Sequence, residues 1–478
     1  MQQARRDRGP ALFGHPIKHT EPVAAKRPAR ESRRVSFVTL GCAKNEVDSD
    51  RMRARVLAAG YALTDEVDGA DAVIINTCAF ITEATEEAIA TILEVSGIPH
   101  FGEGRGRIIV AGCMPSRYGE ELVGELFEVA AFVGCAEEDG IVGVLDEVLG
   151  IEAGPLDARS SGFLRTVRDA WAYVKIADGC SRACSFCTIP LIKGRYRSVS
   201  ADEIIGEVAG LVEGGVREIV LIAQDTGIWG HDLEPSDATR IGDLADLLGY
   251  LAGRFADTWF RIMYLQPQGI TDRLLDTMAA HDNICDYLDI PLQHANARVL
   301  KEMNRSGSGE EYLELLRRIR SKLPDVALRT TLIAGFPGET RAQAAELERF
   351  VEEAAFDYVG VFVYSQEEGT VAGARTDQVA LRTRRARMQR LRDCADAIGF
   401  RRTAERVGRT EEVLITGRDE DEDTEPFGLL GRTKRQAPEV DGMIHLDKGS
   451  AGELVSATMV QAYCYELDGL VLSPDDTG

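Results

Sequence analysis

No stretch of about 18 consecutive apolar residues occurs in the 478-residue chain, so the sequence carries no transmembrane helix and predicts no membrane association. Positive charge is scarce as well: 55 Lys and Arg face 78 Asp and Glu, for a formal net charge of −23. A general duplex-binding protein would present a basic face to phosphates, so tight nucleic-acid binding is not expected. Cysteine, at ten residues, is too sparse for a disulfide-stapled scaffold in a chain this long. The remaining composition, 44% hydrophobic and 28% charged, is that of an ordinary globular protein with about two to four domains.

Residues 1–34 depart from this acidity. They hold nine basic and three acidic side chains, a local +6 that leaves −29 for the rest. The segment has neither helical nor strand periodicity and reads as a disordered basic tail. It lacks the apolar centre of a secretory signal, and its acids and near absence of serine argue against a transit peptide.

From Val35 onward, short β-branched runs alternate with amphipathic stretches. Val35–Leu40, Ala72–Ile75, Arg107–Ala111 and Ala130–Val133 read as buried parallel strands, with helices over Asp50–Ala59 and Thr82–Glu94. That pattern predicts a doubly wound α/β domain over 35–150, followed by a linker at 151–165. A second series over 166–400 has six strand candidates: Ala172–Ile176, Glu218–Ala223, Phe260–Tyr264, Tyr287–Ile290, Leu328–Ile333 and Val359–Tyr364. Helical patterns fill the gaps, which suggests an open six-stranded (βα)6 barrel with its chemistry at the strand carboxyl ends. A long basic helix, Arg382 to Arg406, precedes short β-like runs, so 401–473 is expected to be a small all-β barrel.

The cysteines are placed where that architecture would put chemistry. The loop after the first barrel strand reads Gly179-Cys180-Ser181-Arg182-Ala183-Cys184-Ser185-Phe186-Cys187. Three thiolates in a C-x3-C-x2-C loop leave one iron of a four-iron cluster open to another ligand. Structural zinc prefers four closed ligands, and no further Cys or His pair lies nearby in sequence. Cys42, Cys78 and Cys113 each follow a predicted strand of the first domain, spaced 36 and 35 residues apart. No His/Asp partnership accompanies them, so a second cluster held by three thiolates is the better reading. Cys135 also follows a strand-like run and ranks behind them as a fourth ligand. Cys285, Cys394 and Cys464 read as small buried hydrophobes.

The C-x3-C-x2-C loop, with Phe186 as the aromatic before its last cysteine, resembles the radical S-adenosylmethionine (SAM) enzymes. That resemblance implies that the open iron binds SAM and that an electron from the cluster cleaves it to a 5′-deoxyadenosyl radical. The whole order of parts, from Val35 to Leu472, resembles the methylthiotransferases. It implies an auxiliary-cluster domain at the N-terminus, a radical SAM core and a C-terminal TRAM-like domain. Two [4Fe-4S] clusters and SAM would be the cofactors, with a carrier such as flavodoxin or ferredoxin as reductant and the cytoplasm as compartment.

One branch of that family modifies a tRNA adenosine, the other an aspartate of ribosomal protein S12 (uS12). Leu40-Gly41-Cys42-Ala43-Lys44-Asn45 with Asp48-Ser49 is similar to the S12 branch, although Ala43 stands where proline is usual. Ile222-Ala223-Gln224-Asp225-Thr226 and Asp289-Ile290-Pro291-Leu292-Gln293-His294 are similar too. The most discriminating stretch is Gln436-Ala437-Pro438-Glu439-Val440-Asp441-Gly442. Charge argues the same way: residues 401–470 hold nine basic and 15 acidic side chains, which would repel tRNA and attract a basic ribosomal protein.

The implied chemistry uses two SAM molecules, one for the methyl group and one for the radical that opens the aspartate β-carbon. It also asks the N-terminal domain to pack over the top of the barrel. Phe186, Gln224 and Asp225 are the candidate SAM contacts; loop capping is the plainer role for the last two. Gly335–Thr340 is either a backbone approach to the nucleoside or a tight turn. Lys44 could stabilise an anionic sulfur or lie on the surface, and Asp48 reads as a helix cap. Beside the tRNA-modifying branch, the remaining rival is a non-catalytic zinc-bearing RNA-binding protein.

Overall fold

The computed structural model describes residues 30–152, 165–167, 169–234, 241–419 and 426–473. The basic tail before Arg30, nearly all of the expected linker, and Glu420–Asp423 of the acidic run lie outside the described residues. The chain forms two compact units. One comprises Met1–Thr166 with Leu191–Lys193; the other comprises Val167–Pro190 and Gly194–Gly478. Among the described residues, no helix is long and apolar enough to cross a membrane.

The first unit is built on a parallel sheet of order β2-β1-β3-β4-β5: β1 (Arg34–Thr39), β2 (Ala62–Leu63), β3 (Ala72–Thr77), β4 (Arg107–Gly112) and β5 (Val129–Gly134). Helices α1 (Ala43–Ala58), α2 (Thr82–Gly97), α3 (Cys113–Tyr118) and α4 (Ile141–Leu149) accompany it. Both sheet faces are covered. Val73, Ile75 and Val110 meet Ala88 and Ile92 of α2, while Ile74 and Ile109 meet Met52 and Val56 of α1. Burial on both faces explains why β3 reads as an unbroken apolar run.

Helix α1 begins seven residues before the expected Asp50. Its first two turns bury Lys44, Asn45, Asp48 and Ser49, and these polar residues hide the apolar periodicity. The two-residue edge strand β2 was too short to leave a pattern.

In the second unit, β6 (Trp171–Lys175), β9 (Glu218–Ile222) and β10 (Trp259–Ile262) form one parallel sheet of order β10-β9-β6. Strands β11 (Tyr287–Asp289), β12 (Ala327–Ala334) and β13 (Tyr358–Val363) form another, and a Phe260–Ile284 bridge joins them. The result is an open six-stranded barrel; β7 (Ala177–Asp178) and β8 (Arg197–Ser198) make a small ribbon beside it.

The helices are α5 (Ala201–Glu213), α6 (Leu244–Arg254), α7 (Asp272–Ala280), α8 (Gly309–Lys322) and α9 (Arg341–Ala354). Each starts at a side-chain cap: Ser200, Asp243, Thr271, Ser308 and Thr340 respectively, the first and last as full capping boxes. Helix α10 (Leu381–Ala404) leads into a closed barrel of order β14-β15-β16-β18-β17. Its strands are β14 (Thr410–Arg418), β15 (Leu429–Thr433), β16 (Ile444–Leu446), β17 (Leu454–Tyr463) and β18 (Glu466–Val471).

The amino ends of the six strands are closed by the β15–β16 connection. Glu218, fully buried at the start of β9, accepts from Arg261 of β10 at 2.7 Å and pairs with Arg432 of β15 at 2.7 Å. Burial would raise the Glu218 carboxyl, but the two guanidinium groups outweigh it and hold it below the usual range. Arg261 continues to the carbonyls of Lys434 and Thr433. Arg329 lies between Asp289 and Asp441, and Tyr173 donates to Glu439 at 2.9 Å. Gln436 and Ala437 are wholly buried. A Cβ on Gly442 would sit 2.0 Å from the Tyr465 carbonyl oxygen, so only glycine fits there.

Breaking a buried pair from one side strands the remaining charge. Glu218→Gln should therefore destabilise the second unit by about 3–5 kcal/mol, read as a lower urea midpoint with little change in slope.

Candidate active site

The first cysteine set lies along one edge of the parallel sheet. Thr77, Gly112 and Gly134 are register partners at the carboxyl ends of β3, β4 and β5. The next residue in each strand is a cysteine: Cys78, Cys113 and Cys135. Cys42 reaches the same edge as the residue capping α1. Two glycines make the approach possible. Gly41 has φ +102°, and a Cβ there would lie 2.5 Å from the Cys78 Cβ. Gly112 has φ +91°, and its Cβ would meet Asn76 Oδ1 at 2.2 Å.

Asn45, given no role of its own in the sequence, ties this edge together. Its Nδ2 donates to the carbonyls of Leu40 and Thr77, both at 2.9 Å. Its Oδ1 accepts from the Cys42 and Cys113 thiols at 3.9 and 3.8 Å. Asn76 Nδ2 donates in turn to the Asn45 carbonyl and to Ser49 Oγ, and Thr77 Oγ1 to the Ala111 carbonyl. Three loops are thereby fixed by buried polar groups whose partners are all internal.

Burial pushes the Cys78 thiol up, eased by the Phe80 backbone N–H. The neighbouring Cys113 and Cys135 thiols act on each other, which raises Cys113 and lowers Cys135. Cys135 is thus in the same row as the expected three rather than apart from them. Lys44 is buried, not on the surface. Asp48 is inside α1 and caps nothing; it forms a 3.0 Å ion pair with Lys193.

The second set occupies the loop beyond β6. Gly179, at φ +69°, lets this loop pass the Arg195 carbonyl, where a Cβ would be 2.3 Å away. Ser185 holds the loop through its N–H to the Met303 carbonyl and its hydroxyl to the Glu302 carbonyl. Asn304 donates to the Ala183 carbonyl at 2.7 Å. The Arg182 N–H reaches Cys180 Sγ at 3.4 Å. Burial raises Cys180 against that N–H and pushes Cys187 up to about 12.

Among the described residues, no three His, Cys, Asp or Glu side chains converge closely enough for a single metal ion. A cubane places each thiolate on a different iron, and so asks for wider spacing than an ion does. A set of three thiols is the donor chemistry that a cubane with one open iron takes.

Phe186 packs beside Val299, Met303, Phe336 and Tyr364, which gives it a packing role at the site edge. Gln224 is half-buried at the end of β9. Asp225 is fully buried, and Arg182 of the cysteine loop pairs with it at 2.5 Å. Burial raises the Asp225 carboxyl, with Arg182 opposing. The segment after β12 is a tight turn: Gly335 N–H donates to Glu339 at 2.7 Å, and Arg387 pairs with Glu339 at 2.8 Å. Burial works against the Glu339 carboxylate, but His294, Gly335 and Arg387 together hold it below its usual range. Of the outlying cysteines, Cys285 is buried and Cys394 half-buried, but Cys464 is exposed in the β17–β18 turn at φ +53°.

Comparison with known proteins marks three stretches of the chain. Residues 34–134 match the uncharacterized protein family UPF0004, residues 174–351 the Radical SAM superfamily, and residues 407–472 the TRAM domain. The ribosomal protein uS12 methylthiotransferase RimO of Geobacter sulfurreducens is 40% identical over 455 residues, covering 92% of this chain and 99% of that one. The RimO of Trichlorobacter lovleyi is 38% identical, covering 91% and 97%. Among solved structures, the radical SAM methyltransferase TsrM from Kitasatospora setae shares the fold at a TM-score of 0.53 and 13% identity, over 71% of this chain and 74% of that one. Radical SAM enzymes work with a [4Fe-4S] cluster and SAM. With a C-x3-C-x2-C loop on an open six-stranded barrel, a thiol-lined α/β domain before it and near-complete coverage of these relatives, the chain belongs to the RimO family of radical SAM methylthiotransferases.

Proposed function

We propose that this enzyme methylthiolates the β-carbon of an aspartate in ribosomal protein uS12. The observation that carries the reading is the presence of two separate thiol groups, one along the carboxyl ends of parallel strands and one in the loop beyond β6 and β7, in a chain whose relatives are named uS12 methylthiotransferases. In this reading Cys180, Cys184 and Cys187 hold one [4Fe-4S] cluster, and Cys42, Cys78 and Cys113 hold a second. When bound, the first supplies the electron for SAM cleavage and the second supplies the sulfur that receives a methyl group from another SAM.

The chain's own residues bind and orient. Arg182 and Asp225 fix the cysteine loop against the end of β9, where Gln224 and Asp225 are placed to contact SAM. Ser185 and Asn304 hold the same loop from the other side. Asn45 sets the spacing of the auxiliary thiols. Phe186 and its apolar neighbours keep water from one flank of the loop. The reductant is a small electron carrier such as flavodoxin or ferredoxin, and a reducing cytoplasm suits uncrosslinked thiols.

The acidic body favours a basic protein substrate over tRNA. The Gln436–Gly442 stretch supports the same branch as a marker: Gln436 and Ala437 are buried, while Glu439 and Val440 are exposed.

Cys184→Ala should abolish SAM cleavage, whereas Cys78→Ala should leave cleavage intact and stop sulfur insertion. Each should lower iron from about eight to about four per chain after anaerobic reconstitution. A Cys78→Ala enzyme that still inserts sulfur would remove the auxiliary site from the mechanism. In a deletion strain, mass spectrometry should show uS12 without its methylthio group and bulk tRNA unchanged; the converse would assign the enzyme to tRNA.

A further inference from the structure

Lys193 lies six residues beyond Cys187 in sequence, yet it packs within the first unit. Its side chain is 2% exposed and pairs at 3.0 Å with Asp48, itself 4% exposed. It stands within electrostatic reach of Cys78, Cys113 and Cys135. Asp48 acts on Cys135 with the opposite sign. A buried ion pair of this kind is a poor source of stability, because removing both charges from water offsets most of their attraction. Placing a fixed cation beside three thiols has a different effect. The potential of an iron–sulfur centre follows the net charge around it, so a nearby ammonium favours the reduced, more anionic state.

We propose that Lys193 is a positioning residue for the auxiliary centre, its ammonium set against the Cys78–Cys113–Cys135 edge by Asp48 so as to stabilise negative charge on the sulfur held there. This rests on the reading that Cys42, Cys78 and Cys113 carry a cluster. The role is electrostatic: the lysine exchanges no proton and forms no bond with substrate. It takes the part that Lys44 was a candidate for from sequence, and it gives Asp48 a purpose that helix capping does not.

The test uses full-length protein, reconstituted anaerobically, with Cys184→Ala present so that only the auxiliary centre contributes. Redox titration followed by electron paramagnetic resonance reads its potential. Lys193→Met should move the potential to more negative values, and Lys193→Arg should restore it. Asp48→Asn, which keeps the lysine and removes its counter-charge, should move it to more positive values. A purely structural pair would disturb the centre in the same sense from either side. Equal-sign shifts, or no shift with iron retained, would overturn the proposal. Should Lys193→Met fail to hold iron, the opposed behaviour of Lys193→Arg and Asp48→Asn decides: Asp48→Asn positive of Lys193→Arg supports the role, and coincident potentials overturn it. Absence of any iron signal in the Cys184→Ala parent would instead overturn the reading of the centre itself.

Discussion

Everything in the first unit depends on parallel register. Parallel strands bring all their carboxyl ends to one edge, and hydrogen bonding between neighbours fixes which residues stand abreast there. Once Thr77, Gly112 and Gly134 are aligned, the residues that follow cannot avoid one another. The thiols share one edge because the sheet is parallel, and glycine at Gly41 and Gly112 lets the loops there pack closely. A one-residue slip between β3 and β4 would send Cys113 to the opposite face, so the cost of misregister falls on the chemistry as well as on the core.

The barrel applies the same rule with a different support. There the three cysteines share one loop, and their placement depends on outside contacts: Arg182 to Asp225, Ser185 to the 302–303 carbonyls, Asn304 to Ala183. A loop held at several points by backbone carbonyls has its thiols set by outside contacts rather than by the loop alone.

The fold was legible from the sequence because its strands are short and apolar, and because helical patterns fill the gaps between them. The common sheet edge of Cys42, Cys78 and Cys113 was legible because their spacing follows the βα repeat, and the other set because it falls in one loop. What escaped has a common cause. Asn45, Lys193 and the Arg182–Asp225 pair are single polar residues whose partners lie 32 to 145 positions away. Spacing along a chain carries no record of such pairings. The start of α1 was missed for a related reason, since the polar residues that line the site erased the periodicity that marks a helix. The contact of Cys135 with Cys113 follows from register, which spacing along the chain does not record.

The closure beneath the barrel changes what a branch-specific sequence means. Glu218 and Arg261 belong to the barrel strands, Arg432 and Asp441 to the β domain, and none of the four is satisfied by its own part alone. The two parts are therefore matched like the halves of a lock, and their residues must change together if they change at all. A stretch that distinguishes one branch of a family can in this way record ancestry of the scaffold rather than choice of substrate. Grafting the β domain of a differently specialised relative onto this barrel would bring in mismatched buried charge before any question of recognition arose.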